Sequence, residues 1–266
     1  MNAYLSILRL RFAVQLQYRA AAAAGFSTQL FFGLVKVMVF MAFYASSNKV
    51  QPMSLQQAIT YSWLVQVTLR MLPWNSDAEV LALIRSGNVA YELCRPLNLY
   101  ASWYSRVLAW RIVPVLLSGV PIWIIAVVLP AGYGMTLPES LGAGLSFGVS
   151  LTASLLLGAA ISNIMSISTL WTVAGDGMQR LLPAAVMFFS GTTIPLAFFP
   201  DWSQPLLSAL PFSGLVDVPF RFYIGTLPPS ELLPNLALQL CWTAALIGIG
   251  LWLLSTATKR IVLKGG

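Results

Sequence analysis

Long stretches without a single charged side chain constrain this chain more than any other feature. Between Arg19 and Lys49 the only charge is Lys36, and residues 50–69, 112–138, 140–175, 181–200 and 232–258 carry none. A helix packed on a soluble core turns one face to water and needs polar residues there, whereas a helix surrounded by lipid has no such face. Each uncharged stretch can supply the roughly 20 apolar residues that cross a hydrocarbon layer about 30 Å thick. Six spans are therefore expected, in an all-α polytopic membrane protein that forms a single transmembrane domain over 1–266. Composition agrees: 58% of residues are hydrophobic and 9% charged, against roughly 25% charged in an ordinary soluble domain. Mean hydropathy is +0.78, and a soluble enzyme is excluded.

The second span is diluted by Gln51, Pro52, Gln56, Gln57 and Gln66, but Ser54 followed by Gln57 reads as a capping box that starts a helix reaching Leu72. Gly191, Pro195 and Pro200 punctuate the far end of the fifth. Arg9, Arg11, Arg19, Arg70, Arg85, Arg95, Arg106, Arg111, Arg180, Lys259, Arg260 and Lys264 fall on one side of the expected spans, and only Lys49 and Arg221 on the other. By the positive-inside rule the first set is cytoplasmic, which puts both termini inside. The net charge of +7 is thus a topology signal, and no nucleic-acid partner is expected because the charges sit at span ends.

What is absent narrows the chemistry. There is no histidine, which removes Ser-His-Asp triads, Cys-His pairs and histidine-based zinc motifs. A Walker A loop needs Lys followed by Ser or Thr, and the lysines precede Val37, Val50, Arg260 and Gly265. The carboxylates Asp77, Glu79, Glu92, Glu139, Asp176, Asp201, Asp217 and Glu231 all fall at or beyond the expected span ends, so no intramembrane acidic relay is expected. Cys94 and Cys241 lack a partner at metal-ligand spacing and are read as filler, with no disulfide and no metal. A cleaved signal peptide is not expected, because the first apolar run is too long and lacks a small-residue cleavage site.

The cytoplasmic stretch 72–111 holds the strongest local signals. Ser76 is placed to cap Glu79, Asp77 meets the helix dipole, and Gly87 follows Arg85 where a helix of about ten residues should end. A second short helix follows Asn88 and must stop at Pro96. Helices this short are marginal alone in water, so they need a surface. Either they rest on lipid headgroups, or Val80, Leu81, Ile84, Tyr91 and Leu93 dock into a partner protein.

On the other side, 201–231 is apolar and aromatic but broken by five prolines. Short re-entrant helices between spans five and six are expected there, a surface loop with an aromatic belt being the alternative. In span four, Gly142, Ser146, Ser150, Ser154, Gly158 and Ser162 recur every four residues, a stripe that lets another helix of the same subunit approach closely. Lys36 lies in the outer half of span one, where it either snorkels to the outer headgroups or faces a cavity, a substrate, or Asp201 or Asp217. Gly191 and Pro195 should break the fifth helix, with Thr192 and Thr193 inside the break, either repairing it with their hydroxyls or meeting a substrate or partner. The first residues, 1–19, form an imperfect amphipathic helix suited to the inner interface.

The segment Ile84-Arg85-Ser86-Gly87-Asn88-Val89-Ala90-Tyr91-Glu92-Leu93-Cys94-Arg95-Pro96-Leu97-Asn98 resembles the cytoplasmic loop of ABC-2-type transporter permeases, in particular a branch with an I-R-x-G-x-x-x-x-x-L-x-R-P-L pattern. Ser190-Gly191-Thr192-Thr193-Ile194-Pro195-Leu196, with Phe198-Phe199-Pro200, Leu210-Pro211-Phe212, Tyr223 and Gly225, is similar to the family's fifth-span exit. The resemblance implies a permease subunit of a bacterial cytoplasmic (inner) membrane ABC transporter, working beside a second permease, homologous or identical, and two ATP-binding cassette subunits. ATP and Mg would then be held by those partners, with no cofactor in this chain. It also implies an N-terminal interfacial elbow at 1–19, short coupling helices within 73–106, and re-entrant pieces at 201–231 as an outer gate. The ATPase-coupling set is Asp77, Glu79, Leu81, Ile84, Arg85, Gly87, Tyr91, Leu93, Arg95 and Pro96; the path or gate set is Lys36, Gly191, Thr192, Thr193 and Pro195. Family analogy favours export of a hydrophobic or amphipathic substrate. A non-transporting assembly or sensor subunit and a polytopic lipid-modifying enzyme are the alternatives.

Overall fold

The computed structural model describes residues 19–47, 49–94, 96–171 and 176–259, with single positions at 6, 9, 10 and 13. Among them every regular element is helical. The elbow expected over 1–19 and the coupling residue Arg95 lie almost wholly and wholly, respectively, outside the described residues.

Four helices are long and apolar enough to cross a membrane: Gly25–Ser46, Leu99–Val128, Leu141–Ser168 and Pro229–Thr258. The first belongs to α1, Arg19–Ser46. The helix expected as the second span, α2, runs from Leu55 to Thr68 and tightens into a 3-10 turn at Leu69–Met71 before Leu72 turns extended. Its start is the expected capping box, with Ser54 accepting from the Gln57 amide at 3.2 Å and Gln57 accepting from the Ser54 amide at 2.9 Å. The helix expected as the fifth span, α8, is likewise short, Asp176–Phe189.

Two short helices, α3 (Ala78–Arg85) and α4 (Val89–Leu93), lead into the second of these long helices, which was expected as the third span. That helix begins at Leu99, well before the uncharged run at 112, because the Asn98 side chain caps it by accepting from Ala101 N–H at 3.0 Å. Arg106 and Arg111 are therefore helical residues. The first part, α5 (Leu99–Pro114), passes through a π-turn at Val115–Gly119 into α6 (Val120–Val128). Pro114 and Pro121 flank this turn, and neither has the amide that a regular α-helix would use. Gly119 is required at this place, since a Cβ would strike the Val67 carbonyl of α2.

The centre of the bundle is α7, Leu141–Ser168, which packs on α5, on α8, on the short helix α10 (Asp217–Tyr223) and most extensively on α11 (Leu232–Thr258). The small-residue stripe makes this possible. Ser146, Ser150, Ser154 and Ser162 are buried, Ser150 Oγ donates to Gln239 of α11 at 3.1 Å, and Ser154 Oγ donates to the Leu215 carbonyl. The stripe is thus intrasubunit packing, as expected. Between α8 and α11 the chain forms α9 (Gln204–Ala209), α10 and several 3-10 turns. Every side chain of α10 but Arg221 is buried, with Phe220 and Tyr223 in the same apolar cluster as Tyr61, Trp63, Leu157 and Met165.

Candidate coupling surface and broken helix

Two places gather the residues singled out from the sequence. At the first, α3 starts at Asp77, whose carboxylate accepts from Glu79 N–H at 2.9 Å. The cap is thus one residue later than expected, because Ser76 instead donates to Gln179 of α8 at 2.9 Å. The helix ends as expected: Ser86 is the C-cap and Gly87, at φ +77, supplies the left-handed residue beyond it.

The two short helices are fastened to the bundle on one side only. Val80 and Val89 are buried with Leu99, Tyr100, Trp103, Ile167 and Leu254, and Leu83 and Ile84 pack partly against them. Val80 therefore does not belong to a docking face, contrary to expectation: its position on the inner side of α3 commits it to the chain's own core. Leu81 is half-buried. Arg85, Gly87 and Pro96 are exposed, and Tyr91 and Leu93 are exposed to 74% and 45%. Polar contacts finish the attachment. Arg106 of α5 reaches Glu79 of α3 and Glu92 of α4, both at 3.4 Å, and Trp103 Nε1 donates to Glu92 at 2.8 Å. Sequence reasoning missed Arg106, Glu92 and Trp103; the sole signal was an acidic residue in each short helix facing a basic helix start.

At the second place α8 stops at Phe189 and the chain turns through Ser190 to Pro195. Gly191 adopts φ +89, and a Cβ there would collide with the Tyr61 hydroxyl. Lys36 Nζ donates to the Thr192 carbonyl at 2.8 Å. Two residues of the expected path set, 156 positions apart, are thereby joined, and the partner of Lys36 is a carbonyl freed by the break rather than Asp201 or Asp217. Thr192 is buried with its hydroxyl 2.6 Å from that of Ser190, whereas Thr193 is exposed and its hydroxyl donates to the Met187 carbonyl at 3.1 Å. The Thr193 hydroxyl thus takes up a carbonyl at the helix end, whereas that of Thr192 pairs with the Ser190 side chain. Pro195 is buried and opens the 3-10 turn Leu196–Phe198.

Asp217 holds the two sides of this break. Its amide donates to the Ser190 carbonyl at 3.2 Å, and its carboxylate accepts from Leu196 N–H at 3.3 Å and from Tyr61 Oη at 3.4 Å. Arg221 lies 3.8 Å from the other oxygen. Burial pushes the Asp217 carboxyl up to about 6, against the pull of Arg221 and of its hydrogen-bond donors. Asp217 lies beyond the expected fifth span in sequence, but α10 folds back against α7 and carries it into the protein core, which charge spacing along the chain does not reveal.

Among the described residues no group of His, Cys, Asp and Glu could hold a metal, and both cysteines are free and exposed. No curated protein and no solved structure matches the chain. A family model described as an ABC-2 family transporter protein matches residues 30–265. That match runs from the first long helix through both places described above, and with it the chain is a multi-pass membrane protein of the ABC-2 transporter family, a permease subunit that associates with ATP-binding subunits in a transport complex.

Proposed function

We propose that this permease has six spans, α1, α2, α5–α6, α7, α8 and α11, with both termini cytoplasmic in a bacterial inner membrane. The basic residues gathered at one set of helix ends support that orientation. The segment 201–231 is then external, and α9 and α10 are re-entrant pieces packed against the bundle. The exposed side of α3 and α4 takes an ATP-binding cassette subunit, two of which serve a pair of permeases, this chain and an identical or homologous second one. ATP and Mg are bound by those subunits. The substrate is hydrophobic or amphipathic and is exported, and the break at Gly191 to Pro195 is the outer gate.

One observation carries the docking reading. Tyr91 and Leu93 are exposed on a five-residue helix whose opposite side is held to α5 by Val89 and Glu92. Apolar side chains left outside on a segment that is otherwise well anchored mark a contact surface. Tyr91→Asp with Leu93→Asp should leave folding and membrane insertion intact, because neither side chain is part of the buried cluster, and should abolish co-purification with the ATPase subunit. Wild-type recovery of the ATPase with the double variant would refute the docking assignment.

A further inference from the structure

Arg111 is 2% exposed, yet among the described residues the guanidinium has no carboxylate as a hydrogen-bond partner. It donates to the Leu72 carbonyl, to the Asn75 carbonyl at 2.7 Å and to Ser162 Oγ at 2.9 Å, and lies 4.9 Å from the Trp110 ring, while its Nε has no partner. A buried charge satisfied by neutral acceptors is a poor source of stability, since an apolar residue of similar volume would avoid the desolvation. What a planar fork offers is simultaneous reach in fixed directions. Leu72 closes the α2 segment, Asn75 lies two residues before the Asp77 cap of α3, and Ser162 is on α7. One side chain of α5 therefore fastens the entry to the coupling helices onto the central helix.

The same central helix reaches the break. Ser154 lies eight residues from Ser162, about 12 Å along an uninterrupted helix, and donates to the Leu215 carbonyl. Gln239, paired with Ser150, donates to the Gly214 carbonyl at 2.7 Å. These carbonyls lie two and three residues before Asp217, which binds Ser190 on one side of the break and Leu196 on the other.

We infer that Arg111 is a positioning residue that transmits movement of the coupling segment through Ser162 and α7 to the broken end of α8. This rests on the permease reading above. Contiguity alone does not establish coupling, so the test reads the break while the stimulus acts on the ATPase. The complex is placed in nanodiscs with Cys94→Ser and Cys241→Ser, and the exposed Thr193 is changed to Cys and labelled with a hydrophilic maleimide, with and without Mg-ATP. In this parent, nucleotide should change the labelling rate about fivefold or more, the lower end of common coupling strengths. Arg111→Lys offers one ammonium where acceptors on separate elements were held, and should bring that ratio close to one while the ATPase subunit stays bound and hydrolyses ATP. Ser162→Ala places a small residue on a small-residue stripe and keeps the fold; it should lower the ratio too, and adding Arg111→Lys should lower it no further than Arg111→Lys alone. A parent that ignores nucleotide overturns the permease reading. A responsive parent with an equally responsive Ser162→Ala or Arg111→Lys variant overturns the role of Arg111, and Ser162→Ala decides the matter by itself where Arg111→Lys does not assemble.

Discussion

At the scale of single residues, the break after α8 depends on Gly191, which combines φ +89 with a side-chain direction blocked by the Tyr61 hydroxyl. A left-handed conformation costs an L-residue about 1–2 kcal/mol before any collision is counted. Gly191→Ala should therefore lower the melting temperature of the purified protein. Gly148→Ala is the internal contrast: it lies inside α7 with nothing within 4 Å of the added methyl, and Ala is the better helix former by roughly 0.5–1 kcal/mol. It should melt at or above the wild-type temperature, and a fall as large as that of Gly191→Ala would contradict the assignment of strain to Gly191. Lys36→Met keeps most of the apolar stem and removes the donor to the buried Thr192 carbonyl. Leaving such an acceptor unsatisfied costs about 1–3 kcal/mol, so this variant should also be less stable, whereas a lysine that merely snorkelled would be replaced by Met without loss.

Among elements, α3 and α4 hold their places through one apolar side and the Arg106 contacts. Glu79 is well exposed, so its pair with Arg106 contributes at most about 1 kcal/mol, while Glu92 is less exposed and also accepts from Trp103. Arg106→Ala should leave the melting temperature nearly unchanged but speed amide hydrogen exchange across residues 78–93; unchanged exchange there would mean that the Val80 and Val89 packing alone fixes the two helices. Element identity was legible where it rests on neighbours in sequence: the Ser54–Gln57 box, the Gly87 terminus, the stripe along α7 and the break at Gly191. The cap at Asp77 was misplaced because Ser76 is drawn away by Gln179, about a hundred positions on. Val80 was a docking candidate under one of two readings because residue type does not say which side of an eight-residue helix meets the bundle. Asp217 and Arg111 were taken as span-end charges, since counting charges along the chain does not reveal a short helix folding back or a long helix starting early at Leu99.

Across the whole molecule, the proposed ATPase-docking surface and broken-helix gate lie on opposite sides of the membrane, with the central helix α7 packed against the coupling-helix cluster and against α10, which binds the break. Everything functional in this arrangement requires that residues 76–96 and 201–231 face opposite compartments. Ser86 and Ser230 are both exposed and belong to these two segments. With Cys94→Ser and Cys241→Ser removing the native thiols, single cysteines at positions 86 and 230 can be labelled by an impermeant maleimide in intact cells and again after permeabilisation. The cysteine at 230 should label in intact cells and the one at 86 only after permeabilisation. Labelling of both from the outside, or of neither until the membrane is opened, would contradict the account.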